Sequence, residues 1–253
     1  MTVCLHPLRG LPEVVPGADL AELLACALAD EPVAPRPGDA LVVAQKAVSK
    51  AEGRYRRLAE VTPSPRAREL ATACQKDPRL VELILAESAE VLRVRPGALI
   101  VRHRLGWVQA NAGIDQSNID SSPEDPRVLL LPEDPEASAR RLRERLAART
   151  GVELAVVISD SAGRPWRNGI LGFALAAAGF APVVDRVGEP DRFGRPLRIT
   201  QVAVADALAA AAVLVMGEGA EGVPAVLVRG LALAPPHADW PPMVRDPAED
   251  LFR

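Results

Sequence analysis

The sequence predicts a globular fold that mixes strands with helices. Apolar residues make up 49% of the chain and charged residues 25%, which is the balance of a protein that buries a core. Its 253 residues suffice for one large domain or two small ones. The continuous apolar run over 154–158 is typical of a buried strand, and the amphipathic spacing over 135–149 indicates a helix.

The first half of the chain alternates between the two kinds of element. Residues 20–28 have helical spacing and follow Asp19, a residue type that caps helices. Residues 40–44 form a continuous apolar strand, and residues 66–74 and 80–88 are helical by spacing. Further strands are predicted over 98–103 and 107–110, joined by a hairpin at 104–106.

The second half repeats the mixture. Residues 127–131 are predicted as a strand, and the helix over 135–149 ends near Gly151, a residue type that favours helix ends. The strand over 154–158 should deliver Asp160 at its C-terminal end. The stretch 170–180 is compatible with a helix or a twisted strand. A helix is predicted over 202–212 and a strand over 224–228.

Composition excludes several classes of protein. A net charge of −3 and a pI near 5.7 argue against a nucleic-acid-binding surface, which needs a basic face. The chain has three widely spaced cysteines without a CxxC motif, and its N-terminus has no signal segment. Both features predict a location in the reducing cytoplasm. No apolar run reaches bilayer length, so no membrane association is expected. We expect a single domain over 1–253, with 54–95 the best candidate for a helical insertion.

Three acidic segments far apart in the sequence are the strongest functional signal. They are residues 111–118, 158–167 and 216–222, and we expect each to be a loop that places a carboxylate among small polar residues. Their carboxylates are Asp115, Asp160 and Glu218. Hard oxygen donors suit Mg²⁺ or Mn²⁺ better than zinc. Asp115 or Asp160 taken alone is more typical of a turn than of a metal site. The three carboxylates together favour the metal site, because Mg²⁺ sites use one or two carboxylates plus substrate phosphates.

Basic residues near these segments indicate a phosphate-bearing ligand. Lys46 and Lys50 follow the strand over 40–44 and could bind phosphates as point charges, although surface lysines are common. Arg164 and Arg167 flank Trp166 and suit carboxylates or phosphates. The G-x-G-x-x-G pattern of 217–222 is rejected as a dinucleotide fingerprint, because a strand rather than a helix is predicted after it.

At these residues the chain resembles the coenzyme F420-0:L-glutamate ligases. The likeness covers nearly the whole chain and depends on long motifs in the same order. The motifs are residues 9–13, 45–54, 110–118, 159–167, 203–206, 215–218 and 249–253.

The resemblance implies an α+β fold of mixed and antiparallel sheets with helices, the fold of this ligase family, in an intertwined homodimer. It implies a GTP-dependent enzyme that attaches L-glutamate to the lactyl-phosphate side chain of coenzyme F420-0 and adds further glutamates through γ-linkages. Some members carry a C-terminal flavin-binding reductase domain, and we expect none here because the sequence ends at Arg253.

The resemblance also assigns residues. The implied GTP site consists of Leu11, Pro12, Glu13, Val14, Gln45, Lys46, Lys50, Asn118, Met216, Gly217, Glu218, Gly219, Ala220, Glu221, Gly222 and Val223. The implied ligands of two divalent ions, Mg²⁺ or Mn²⁺, are Asp115, Asp160, Ser161 and Glu218, and assistance by K⁺ is left open. Ser161-Ala162 replaces the family's Thr and a larger residue, but a serine hydroxyl can still coordinate a metal. From charge alone, Arg164 and Arg167 are assigned to glutamate or to the coenzyme phosphate.

Two other functions use the same residues. A non-catalytic nucleotide-sensing module would bind GTP and metal without making product. A metal-dependent phosphatase would release phosphate without needing glutamate.

Overall fold

The computed structural model describes residues 2–236 and 242–250 and has the mixed α+β architecture that was expected. Within these residues it contains twelve strands: β1 Cys4–Leu8, β2 Ala40–Ala44, β3 Tyr55–Arg57, β4 Ser88–Arg95, β5 Ala98–His103, β6 Val108–Ala110, β7 Arg127–Leu129, β8 Ala155–Arg164, β9 Arg167–Ala178, β10 Val183–Asp185, β11 Gln201–Ala203 and β12 Ala225–Arg229. The helices of the same residues are α1 Leu20–Asp30, α2 Gln45–Ala51, α3 Pro65–Cys74, α4 Pro78–Ala86, α5 Pro135–Thr150 and α6 Val204–Met216.

A five-stranded sheet organises the molecule. Its strand order is β1-β12-β2-β8-β9, and only the β2–β8 pair is parallel. Helices α1 and α5 cover one face, where Leu24, Leu146 and Val156 are buried together. Helix α6 covers the other face, where Leu208 and Val157 pack. With both faces covered, the central strands are apolar throughout, which explains the continuous runs in the sequence.

A second core lies in the region between β3 and β7. Helices α3 and α4 pack on the antiparallel sheet β4-β5-β6, burying Ile84, Leu99 and Val101. The region 54–95 is therefore helical over α3 and α4 but also contributes strands β3 and β4. Its role as an insertion stays a prediction.

Most predicted elements are confirmed within a few residues. Asp19 caps α1 by accepting a hydrogen bond from the Glu22 amide, and α5 ends at Gly151 in the left-handed conformation. The stretch 170–180 is strand β9 over most of its length. The predicted loop over 158–167 is wrong in its first part, because β8 continues through Asp160 to Arg164, paired with β9.

Two further points concern the ends of the chain. Residues 251–253, part of the last motif of the resemblance, lie outside the described residues. In the part of the chain that is described, no helix is both long and apolar enough to cross a bilayer.

Candidate functional site

A single cavity of about 960 Å³ gathers the residues that were predicted to bind nucleotide and metal. It lies where α2 begins, where β8 passes Asp160 and where the loop after α6 runs into β12. The predicted residues among its lining are Leu11, Pro12, Glu13, Val14, Gln45, Lys46, Lys50, Asp115, Asn118, Asp160, Ser161, Met216, Gly217, Glu218, Gly219, Ala220, Glu221, Gly222 and Val223.

Helix α2 supplies the amide and the two lysines. Ser49 Oγ donates to Gln45 Oε1 at 2.9 Å, which fixes the orientation of the amide. Gln45 Nε2 then donates to Asp115 Oδ2 at 2.6 Å. Lys46 Nζ lies 3.3 Å from Asp115 Oδ1 and donates to the Ser117 carbonyl at 3.0 Å. The helix thus holds Asp115 from two sides.

Lys50 is buried and forms an ion pair with the exposed Glu13. A buried ammonium is costly without a partner, so its placement at the cavity wall needs Glu13 or another anion. Because Glu13 is exposed, a phosphate group could take its place at Lys50.

Asp115 is carried on a strained turn. Asn111, Ala112 and Gly113 all have φ between +54° and +68°, a region that residues other than glycine seldom adopt. Asp115 then exchanges two backbone hydrogen bonds with Leu129, both at 2.9 Å. The turn and this pairing together fix the direction of the Asp115 carboxylate.

Asp160 shares the cavity lining with other carboxylates. Burial raises its pKa to about 7, and the charges of Asp115 and Glu218 add to this effect. Burial also raises the pKa of Asp115, against the opposing effects of Lys46 and Gln45. Asp115 and Glu218 thus disfavour the charge of Asp160, and a cation beside Asp160 would relieve this repulsion.

The loop after α6 is held by side chains from other segments. Ser161 Oγ donates to Glu218 Oε2 at 3.0 Å, and Asn118 Nδ2 donates to the Gly219 carbonyl at 2.8 Å. A Cβ at Gly217, whose φ is +73°, would lie 2.2 Å from the Glu221 carboxyl carbon. Strand β12 follows, which confirms the rejection of the dinucleotide fingerprint.

The donor set fits a hard cation only in combination with a ligand. The predicted metal ligands are all oxygen donors, as Mg²⁺ and Mn²⁺ prefer. However, no three His, Cys, Asp or Glu side chains of the described residues are arranged so that they could hold a metal ion by themselves. Mg²⁺ sites commonly use one or two carboxylates and complete their coordination with water and substrate phosphates.

Two predicted residues lie apart from the cavity. Arg164 and Arg167 flank the tip of the β8–β9 hairpin, where Trp166 is 91% exposed, and neither belongs to the cavity lining. Their assignment to a substrate stays a prediction.

Sequence reasoning missed other residues of the lining, above all Tyr55 and Arg127. Both belong to strands of three residues, β3 and β7, and neither lies in a motif of chemical character. The one available signal was that Tyr55 is the only tyrosine in the chain.

Comparison with known proteins decides the family. The family model described as F420-0:Gamma-glutamyl ligase matches residues 10–230. The chain belongs to this ligase family. The Coenzyme F420:L-glutamate ligase of Methanothermobacter thermautotrophicus is 46% identical over 255 residues, covering 100% of both chains. The proteins of the same name from Methanopyrus kandleri and Haloarcula marismortui are 44% and 43% identical, covering 98% and 93% of their lengths.

Membership in the F420-0:gamma-glutamyl ligase family confirms the resemblance drawn from the motifs, and it confirms that the chain is an enzyme of the ligase class. The family match begins at residue 10 and ends at residue 230. It therefore spans every segment that lines the cavity.

Proposed function

We propose that the protein attaches L-glutamate to coenzyme F420-0 and extends the product by γ-linked glutamates, with GTP as the phosphoryl donor. The observation that carries the proposal is the convergence of carboxylates and lysines on one cavity in a chain of this family. Relatives that match it over their whole length bear the name Coenzyme F420:L-glutamate ligase.

GTP occupies the part of the cavity formed by residues 11–14, by α2 and by the loop 216–223. Its phosphates lie near Lys46 and Lys50, where the Lys50 ammonium exchanges Glu13 for a phosphate oxygen. Asn118 joins the loop 216–223 to the loop after Asp115 through its hydrogen bond to the Gly219 carbonyl. Backbone amides of the glycine-rich loop supply further donors to the nucleotide.

Asp115, Asp160, Ser161 and Glu218 hold two divalent ions, Mg²⁺ or Mn²⁺. When bound, these ions neutralise phosphate charge and orient the transferred group. The protein's own contribution is positional, because Gln45 and Lys46 fix Asp115, and the Ser161 hydroxyl fixes Glu218.

The reaction has two steps. In the first, a carboxylate oxygen of the acceptor attacks the γ-phosphorus of GTP, and the bond from this phosphorus to the β-phosphate oxygen breaks. GDP departs, and the acceptor becomes an acyl phosphate. In the second, the glutamate amine attacks the acyl carbon, loses a proton, and expels inorganic phosphate. Phosphoryl transfer needs mainly positioning and charge neutralisation, so no protein nucleophile is required.

The protein acts as a homodimer. Exposed apolar side chains cluster on the β8–β9 hairpin and the segment 185–203, where Trp166 is 91%, Phe193 79% and Ile199 90% exposed. Such exposure is unusual for a monomer and typical of a subunit interface. If two subunits pair through this surface, Arg164 and Arg167 of one subunit could reach the cavity of the other.

The test of activity is turnover by purified protein supplied with coenzyme F420-0, L-glutamate, GTP and Mn²⁺, with and without K⁺. We expect GDP release that depends on both coenzyme and glutamate, and a product heavier by one glutamate residue per addition. A phosphatase would release phosphate without glutamate, and a sensing module would bind GTP without product; either result would refute the ligase proposal.

The test of assembly is the molar mass in solution by light scattering. The wild type should have twice the chain mass, and a Trp166→Ser, Phe193→Ser double variant should shift towards the monomer. A double variant that keeps the dimer mass would place the interface elsewhere.

A further inference from the structure

Part of the cavity lining is left unused by the nucleotide and metal assignments. Among the unassigned lining residues are Tyr55, Arg127 and the loop residues Ser117, Ile119 and Asp120, which we call the remaining wall. It combines an aromatic ring with a guanidinium group, and both are chemically suited to a second substrate.

The backbone pairing explains how Tyr55 comes to this wall. Tyr55 of β3 lies opposite Leu129 of β7, and Leu129 also pairs with Asp115. Residues directly opposite in antiparallel pairs direct their side chains to the same face. Tyr55 and Asp115 therefore lie on one face, two strand spacings or about 10 Å apart.

Tyr55 is the only aromatic side chain among the described residues that line the cavity. It is half-buried and lines the cavity, so part of its surface is accessible to a ligand there. Aromatic rings stack favourably on planar heterocycles, and Tyr55 can supply that contact.

Arg127 contacts two carboxylates, Asp125 and the more exposed Asp120. Asp125 accepts hydrogen bonds from Arg127 Nε at 2.8 Å and from Arg57 Nε at 2.8 Å, so it anchors both guanidinium groups. Arg127 Nη1 pairs with Asp120 at 2.9 Å, but the Asp120 side chain is 82% exposed. A solvent-exposed pair of this kind contributes little free energy, so a substrate anion can displace Asp120.

We propose that Tyr55 and Arg127 bind the acceptor substrate, the molecule whose carboxylate is activated. Tyr55 stacks on its planar heteroaromatic ring, and Arg127 pairs with the phosphodiester of its side chain in place of Asp120. This inference rests on the proposed function, because it assigns the acceptor to the wall that GTP leaves unused. The acceptor's carboxylate then lies towards Asp115, where the transferred phosphoryl group must be.

The experiment is steady-state kinetics of the full-length protein with Mn²⁺, varying coenzyme F420-0 and GTP separately. We expect Arg127→Ala and Tyr55→Ala to raise the KM for the coenzyme about tenfold or more, as loss of a charge-assisted or stacking contact does, while the KM for GTP stays within about twofold. Tyr55→Phe keeps the ring and should resemble the wild type. Asp120→Asn releases Arg127 and should lower the KM for the coenzyme, an effect that a purely structural role would not produce.

The matched control is Arg56→Ala. Arg56 neighbours Tyr55 on β3, is exposed, and does not line the cavity. Its loss removes the same charge and should leave both KM values unchanged. GDP affinity measured by calorimetry verifies that each variant is folded.

The outcomes separate the two proposals. If the wild type turns over but Arg127→Ala and Tyr55→Ala raise the KM for GTP instead, the wall binds the nucleotide base and the inference is overturned. Variants that match the wild type in both KM values overturn it as well. If the wild type shows no coenzyme-dependent turnover, the proposed function fails, and calorimetric binding of the coenzyme to wild type and Arg127→Ala still tests the wall.

Discussion

Replacing Asp160 by asparagine should make the metal-free protein more stable at neutral and alkaline pH while abolishing its activity. In the folded chain, burial and the nearby charges of Asp115 and Glu218 raise the pKa of Asp160 from 3.8 to about 7. Above about pH 7 the carboxylate of Asp160 is ionised although burial and the neighbouring negative charges oppose its charge. Asparagine preserves the size of the side chain and removes that charge.

The magnitude follows from the pKa difference. A raised pKa stabilises the folded state fully below the unfolded value, and that contribution is lost as the pH rises through the folded value. The wild type should thus lose stability between about pH 4 and pH 7, at up to about 1.4 kcal/mol per pH unit. Between pH 5 and pH 8 the loss is at most about 3 kcal/mol, and the partial exposure of Asp160 reduces it.

The assay is urea unfolding followed by circular dichroism, without metal, at pH 5 and pH 8. Asp160→Asn should gain stability relative to the wild type on going from pH 5 to pH 8, and Mn²⁺ should then stabilise the wild type more than the variant. A variant that is no more stable than the wild type at pH 8, or that responds equally to Mn²⁺, would refute the account of this site as a set of mutually repelling carboxylates.

Other perturbations test the surroundings of the cavity. Gly113→Ala should cost about 1–3 kcal/mol in urea unfolding, because its Cβ would lie 2.0 Å from Gln109 Nε2 at a φ of +68°; an unchanged unfolding midpoint would contradict this. Glu87→Gln should cost about 3 kcal/mol because it removes the nearer of the two carboxylates that Arg54 contacts, at 3.4 Å, and leaves Glu133 at 3.9 Å. Burial opposes ionisation of Glu87, but His103 and two arginines lower its pKa to about 2. The wild type should therefore lose this stability as the pH falls from 4.5 towards 2, and the variant's stability should fall less steeply over that range. Lys50→Ala should weaken GDP binding about tenfold by calorimetry, since a buried ammonium at the phosphates is lost; an unchanged affinity would remove Lys50 from the nucleotide site.

Sequence patterns predicted most helices and the buried strand β2 well and several other strands poorly. The periodicity of α5 and the apolar run of β2 are strong local signals. The predicted ranges 135–149 and 40–44 agree with the observed elements to within one residue. Strands β1, β3, β4, β10 and β11 were missed. They depend on pairing with partner strands, which their own residues do not specify. The continuation of β8 through Asp160 was missed for a similar reason, since its long pairing with β9 outweighs the turn preference of Ser-Asp-Ser.

The candidate site divides in the same way. Carboxylates and lysines among small residues are visible in the sequence, and they meet in one cavity. Tyr55 and Arg127 reach that cavity only through the pairing of β3 with β7, which no local pattern specifies. Arg164 and Arg167 illustrate the opposite case, because a suggestive motif lies at an exposed hairpin tip.

The hydrogen bond from Asn118 to the Gly219 carbonyl has a consequence for the whole molecule. It closes the cavity between segments separated by 101 positions, and the opposite wall comes from residues 11–16 near the start of the chain. A ligand in this cavity can bind only when segments from near residue 11 to near residue 224 are assembled around it. Ligand binding therefore reports on global folding and reinforces it, by about 2.7 kcal/mol at a concentration of 100 times Kd.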